Sequence, residues 1–494
     1  MGIVIKQSIW NSVYTYFGLV LGAINTLFLF PYAFEDAMEY YGLIQTMLSY
    51  TLVISTFSAL GAPQILVRFF HRVKEEQQSN LGFFALLLPI LLIVPFSFLG
   101  YFFRMEFSLF FTENTQDAEL LSVYFPYLLP MVLFNIYFEL FSSISIAQFK
   151  SVTPLFLKEV ERRIITLLLL LAYSFDLINI DWFIGLFTLS FLSQFLIILF
   201  TLVKSKLLTI KPSFSGLPKK ELLNYGFFSF LTYGGDLLIN RIDIVMIGKY
   251  VDLESVAFYS IAYFIGMVIN TPSKAASGIS RTVISKSLEN NDFEGLHIFY
   301  KKSSLALLIA TGWIFILVVG SMRELYEIIP SKFQGGVTIS IVIGLGRLFN
   351  GLCGINGHII TLGKYYRMNL IMSGGLLITT LIANLLFIPK FGILGAGIAS
   401  TVVVVLNNVW KLQYVWQKHR MSPYTPQLLF VSLLVGLFSF VLFSIELHWH
   451  PILIVLSKSL IASVLFGWIV FKFNYLPEFN SISIGLWKKY VQRS

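Results

Sequence analysis

Charge is scarce in this chain. Only 12% of its 494 residues are Asp, Glu, Lys or Arg, about half the roughly 25% of an ordinary soluble domain. A soluble globular protein is therefore excluded. Cysteine occurs once, at Cys353, which rules out an internal disulfide framework, a Cys-based zinc site and CxxC redox chemistry. The six histidines form no HExxH pattern and no GxxxxGK[ST] loop is present, which argues against a zinc protease and against ATP hydrolysis by a P-loop. No cofactor is implied. The formal charge of +9 would suit nucleic acid, but the basic residues lie in short tracts between apolar runs rather than on one basic surface, which argues against that partner.

What the chain has is apolar length. Hydrophobic residues make up 56% and aromatics 16%, with a mean hydropathy of +0.78, and apolar runs near 20 residues, each long enough to cross a bilayer, recur almost end to end. Fourteen spans are predicted: 9–33, 41–65, 81–103, 119–147, 155–175, 180–203, 222–248, 255–280, 303–322, 333–360, 368–388, 392–416, 427–446 and 451–473. The first is too long for a signal-peptide core and lacks a small-x-small cleavage site, so it stays as a helix. With both termini placed in the cytoplasm, 26 of the 35 Lys and Arg fall on cytoplasmic segments. Acids such as Glu35, Asp36, Glu39, Asp117 and Asp252 fall outside, as the positive-inside rule requires of a correctly threaded chain.

A weak internal repeat accompanies the spans. FLFPYAFEDAMEYYGLIQTML matches VMIGKYVDLESVAFYSIAYFI, and FKSVTPLFLKEVERRIITLLL matches GKYYRMNLIMSGGLLITTLIA with Lys150 over Lys364 and Thr166 over Thr380. Helices 1–6 thus read as duplicated in helices 7–12, and an even number per copy gives both copies the same sense in the membrane. The expectation is an all-α polytopic membrane protein: an N-lobe at 1–210, a C-lobe at 211–420 related by a pseudo-two-fold axis, and appended helices 13 and 14 with a tail at 421–494.

With the charges assigned to loops and helix ends set aside, seven remain inside the spans: Glu139, Asp236, Arg241, Asp243, Lys274, Arg347 and Lys458. Each costs about 2.5–3.5 kcal/mol at a helix centre. Three in the seventh span would cost roughly 8–10 kcal/mol, so that helix must turn them toward water or protein. At 100° per residue, Ser229, Tyr233, Asp236, Asn240 and Asp243 share one stripe. Helix 8 aligns Asn270, Lys274, Ser277 and Arg281, with Pro272 able to kink it. Helix 10 aligns Arg347, Asn350, Gly351, Gly354 and His358, and helix 4 aligns Asn135, Glu139 and Ser142. Four polar stripes in an apolar body suggest one shared, water-filled cavity. Purely structural pairing is the competing explanation for any one of these charges, and for Lys458 local packing is the better one. Lys158, Glu159, Glu161, Arg162 and Arg163 read as a solvated end of helix 5, with bordering the cavity mouth as the alternative for Arg162 and Arg163.

Three features together resemble a known family: the duplication, the RIDIVMIGKYVDLESVAFYSIA segment running from helix 7 into helix 8, and the IPKFGILGAGIAS segment joining helices 11 and 12. They resemble the multidrug, oligosaccharidyl-lipid and polysaccharide exporter superfamily, and within it the polysaccharide transporters of the O-antigen flippase branch. The resemblance implies a non-enzymatic alternating-access flippase in a bacterial cytoplasmic membrane, moving a polyprenyl-pyrophosphate-linked oligosaccharide between leaflets as a monomer alongside polysaccharide assembly proteins. Under it, Arg241, Lys274 and Arg347 hold pyrophosphate, and Asn240, Asn270 and Asn350 meet sugars. Glu139, Asp236 and Asp243 couple transport to a proton or sodium ion. The alternatives are a multidrug exporter of the same superfamily, which the balance of three central acids against three central bases does not favour, and an intramembrane glycan-processing enzyme.

Overall fold

The computed structural model describes residues 2–205, 212–363 and 366–475. The described residues contain helices and no strand, as the absence of water in a bilayer core demands of a chain whose backbone must satisfy its own hydrogen bonds. The sequence-derived class, an all-α polytopic membrane protein, is the one observed.

The chain divides into two compact units, residues 1–261 with 373–396 and residues 262–372 with 397–494. In the first unit, α1 (Gly2–Ala23) runs through a π-turn at Ile24–Leu29. It is followed by α2 (Met38–Ser58), α3 (Ala62–Phe69), α4 (Glu75–Phe102) and α5 (Thr115–Ala147). A second π-turn, Leu157–Glu161, opens α6 (Arg162–Ser174), and α7 (Ile180–Lys204), α8 (Lys219–Ile239) and α9 (Ile242–Tyr250) follow. Helix α10 (Leu253–Ile269) begins in this unit. The second unit contains α11 (Thr271–Glu289), α12 (Phe293–Gly320), α13 (Val337–Cys353) and α14 (Asn356–Leu362). The long element α15 (Tyr366–His419) is shared between the units, and α16 (Pro426–Ser444) and α17 (Pro451–Lys472) complete the second.

Local sequence sets these ends. Asn114, Asn179, Asp292 and Thr425 each accept a backbone N–H of the first turn of α5, α7, α12 and α16, the capping that orphaned N-terminal donors need. Proline occupies the first turn of α3, α11, α16 and α17, where its missing N–H costs nothing.

Among the described residues nine helices are long and apolar enough to cross a membrane, and eleven when the bent pairs α2 with α3 (56°) and α10 with Thr271–Ser277 (48°) each count as one span. The difference from the predicted fourteen arises in three places. The fifth span is interrupted by the charged π-turn at Leu157–Glu161. The seventh breaks between α8 and α9. The eleventh and twelfth merge in α15, whose only non-helical residue is Gly392 (φ 56°, ψ −135°).

Large apolar side chains cover the outside as well as filling the core. Large apolar side chains such as Leu429, Leu433 and Phe440 of α16 are exposed, while Thr46, Ser49, Thr51, Ser55 and Ser58 of α2 are buried. Hydrocarbon solvates the former; of the latter, Ser49 and Ser55 donate to the Gln45 and Leu52 carbonyls of their own helix, and Ser55 also accepts from Asn135 of α5.

Candidate functional site

A cavity of about 280 Å³ opens within the first unit. Its wall includes Ser55 and Thr56 of α2, Pro63 and Gln64 of α3, Asn135 and Glu139 of α5, Lys158, and Phe230, Tyr233 and Leu237 of α8. Helix α5 is continuous through this region, so Asn135 and Glu139, four residues apart, face the same space. Asn135 donates to Ser55 Oγ at 2.8 Å in a buried contact, and Lys158 Nζ meets Glu139 Oε1 at 2.6 Å. Both members of that ion pair keep accessible surface, at 49% and 34%, so a polar, charged chamber lies among apolar spans.

The π-turn at Leu157–Glu161 aims the neighbouring charges. A π-turn carries an extra residue and commonly marks functional segments of helices. Here it is stabilised from α7, where Gln194 Nε2 donates to the Leu157 carbonyl at 2.5 Å and Ser193 Oγ to Glu161 Oε1 at 2.6 Å. Asn25 Nδ2, in the π-turn of the first span, donates to the Arg163 carbonyl at 2.8 Å. Arg163 pairs with Glu159 at 3.0 Å, and the Arg162 guanidinium lies 5.3 Å from the Phe191 ring centre, within electrostatic range of Arg163 and Arg241. The solvated helix end expected from sequence is thus, for Arg162 and Arg163, half-buried. The first unit holds Lys158, Arg162, Arg163 and Arg241 as well as Glu139.

The seventh-span stripe needs correction. It assumed one continuous helix from 222 to 248, but α8 ends at Ile239, Asn240 closes it, and Arg241 leaves helical geometry (φ −131°, ψ −15°) before α9 starts. Asp243 is therefore not carried on the face of Tyr233. It is 2% exposed and accepts hydrogen bonds from Tyr259 Oη and Asn384 Nδ2, both at 2.7 Å. Hydrogen bonds to a carboxylate contribute about 1.5–3 kcal/mol each, enough for two to offset the roughly 2.5–3.5 kcal/mol of placing the charge at membrane depth. Asn240 is exposed and Arg241 half-buried at the break. The Asp236 side chain, along with Lys364 and the tail beyond Tyr475, lies outside the described residues.

In the second unit the helix 8 stripe bends where Pro272 predicted, and Asn270 occupies the junction of α10 and α11. The helix 10 stripe is divided by Gly354, which adopts φ 68° and ψ −129° between α13 and α14. This conformation is open to glycine and strained for other residues. His358 is therefore on a different helix from Arg347 and Asn350. Arg347, half-buried, lies 6.0 Å from the Tyr263 ring centre. Asn350 Nδ2 donates to Asn270 Oδ1 at 3.1 Å, joining two residues singled out from sequence. Lys274 is exposed on α11, one turn beyond Asn270.

Sequence reasoning missed Asn408, Asn356, Asn384, Tyr259 and the hydroxyl stripe of α2, all uncharged groups that a reading built on charges inside the spans passes over. Among the described residues no cluster of three or more His, Cys, Asp or Glu is placed to hold a metal ion.

A profile of the polysaccharide biosynthesis protein family matches residues 4–284. No curated protein matches by sequence. Solved structures share the fold. The lipid II flippase MurJ, inward closed conformation, is 18% identical with a TM-score of 0.73, the match covering 94% of this chain and 100% of that one. An inward-facing multidrug resistance MATE family transporter of the MOP superfamily is 14% identical with a TM-score of 0.60, covering 88% and 99%. A MATE structure in complex with MaL6 is 13% identical with a TM-score of 0.57, covering 88% and 97%. At these identities the likeness establishes the fold.

Proposed function

The chain belongs to the polysaccharide biosynthesis protein family, and on that premise we propose that it is an alternating-access flippase moving a polyprenyl-pyrophosphate-linked oligosaccharide across a bacterial cytoplasmic membrane, with both termini cytoplasmic. The observation that carries this reading is the set of basic side chains held among membrane-spanning helices, Lys158 and Arg163 against carboxylates and Arg162 and Arg347 beside aromatic rings. A pyrophosphate entering a low-dielectric path needs cations that are already oriented, and arginine forks match its oxygens.

In this proposal Arg241, Lys274 and Arg347 bind the pyrophosphate, with Arg162 and Arg163 adding positive charge in the first unit. Asn240, Asn270 and Asn350 hydrogen-bond the headgroup. Glu139, Asp236 and Asp243 are the candidate groups for proton or sodium coupling, and Asp243 is more enclosed than Glu139. The duplicated segments 1–210 and 211–420 act as the two lobes, with 421–494 appended. The protein works as a monomer beside polysaccharide assembly proteins.

The multidrug exporter of the same superfamily is the second reading, supported by the fold shared with MATE transporters. It needs a free carboxylate for an organic cation, and in the described cavity Glu139 is already matched by Lys158 at 2.6 Å. Deletion of the gene separates the two. The flippase predicts that a lipid-linked oligosaccharide accumulates on the cytoplasmic face and surface polysaccharide is lost; drug hypersensitivity with normal glycans would select the exporter instead.

A further inference from the structure

Four asparagines of the second unit form a hydrogen-bonded chain whose direction is fixed at two points by the backbone. A backbone N–H can only donate and a carbonyl can only accept, whereas an amide side chain does both. Gly357 N–H donates to Asn356 Oδ1 at 2.6 Å, which turns Asn356 Nδ2 toward Asn408 Oδ1 at 3.2 Å. Asn408 Nδ2 then donates both to the Val404 carbonyl at 3.0 Å and to Asn350 Oδ1 at 3.1 Å. Asn350 Nδ2 passes the same polarity to Asn270 Oδ1 at 3.1 Å. Reversing any one amide would bring two donors or two acceptors face to face, and Asn356 and Asn408, each 4% exposed, have little water to relieve the clash.

The chain ends at Asn270. Its Oδ1 is consumed by Asn350, and its Nδ2 meets no acceptor among the described residues. Asn270 is half-buried, so its outward side is a pair of N–H donors that cannot exchange roles with the oxygen. A sugar hydroxyl both donates and accepts and has no need of fixed polarity; a phosphate oxygen only accepts. The surroundings agree with the second. Arg347 is one turn from Asn350, its Cγ placed where a side chain at position 266 of α10 would touch it, and Lys274 is one turn from Asn270.

We propose that Asn408 and Asn356 are positioning residues that hold the Asn270 amide with its N–H side outward, making Asn270 a donor to a phosphate oxygen of the transported lipid. This rests on the pyrophosphate reading of the same site, and the test separates the two. Binding of undecaprenyl pyrophosphate, which carries no sugar, is measured on the purified full chain in detergent. Asn270→Ala weakens binding by about tenfold or more, the loss of one hydrogen bond to a charged group. Asn408→Leu, close in shape but unable to hydrogen-bond, weakens it several-fold, and Asn356→Ala acts in the same direction should the first variant fold poorly. In the Asn270→Ala background neither substitution produces a further loss, because both act through that amide.

Losses that add in full, or wild-type affinity in Asn408→Leu and Asn356→Ala while Arg347→Ala loses binding, overturn the proposal and leave the pyrophosphate reading standing. Wild-type protein that does not bind undecaprenyl pyrophosphate overturns that reading, and the proposal with it.

Discussion

At the scale of single residues, charges inside the apolar spans differ in what surrounds them. Lys458 and Glu324 form an ion pair at 2.6 Å with side chains only 4% and 7% exposed, and Lys458 Nζ also reaches the Gly320 carbonyl at 3.3 Å. The pair fastens α17 to the short helix Met322–Glu327 of the same unit. Removing one member of such a pair leaves the other buried without its counter-charge, at a cost of about 3–5 kcal/mol, whereas replacing both with apolar groups is often neutral. Lys458→Ala should therefore lower the thermal unfolding temperature of the purified protein markedly, and Lys458→Met combined with Glu324→Leu should restore most of it. Equal losses in the single and double variants would refute the pairing. Glu139 and Lys158 are a different case, since they line a cavity and remain partly exposed. There solvent screens the attraction, and the pair contributes electrical balance to the chamber more than stability.

At the scale of elements, breaks in the helices decide which side chains meet. Gly354 separates α13 from α14, and a Cβ there would collide with Ser304 Oγ in addition to straining the backbone. Strain of this kind costs on the order of 1–3 kcal/mol, so Gly354→Ala should destabilise the protein and displace Asn356. Gly335→Ala, where an added Cβ meets nothing within 4 Å, should change stability by no more than about 0.5 kcal/mol. Thermal unfolding of the two variants side by side checks the contrast. The same breaks explain what sequence could and could not reveal. Pro272 announced the bend at Asn270, because a missing N–H at a first helical turn is a local signal. The interruption at Asn240 and Arg241 had none, so a 100° rotation per residue was carried across it and placed Asp243 on the wrong face. The π-turn at Leu157–Glu161 was equally silent, since one extra residue per turn leaves hydropathy unchanged while redirecting Lys158 toward Glu139. The asparagine chain was half legible: Asn270 and Asn350 stood out on polar stripes, but Asn408 and Asn356 join them only through tertiary packing.

At the scale of the whole molecule, the apolar runs were sufficient for the membrane fold, because the bilayer leaves a spanning chain so few choices. The charges threaded through it are what connect that fold to a function. Each is costly alone, and ionisable groups kept at membrane depth commonly mark substrate or ion pathways. The central claim is that this path carries a pyrophosphate-linked glycan between leaflets. It is tested most directly by reconstituting the purified chain into liposomes loaded with undecaprenyl-pyrophosphate oligosaccharide and following, over time, exposure of the sugar to a reagent confined to one side. Transfer well above protein-free liposomes, lost in Arg241→Ala and Arg347→Ala variants that still insert, is the predicted result; transfer equal to protein-free liposomes, or unchanged in both variants, would contradict it.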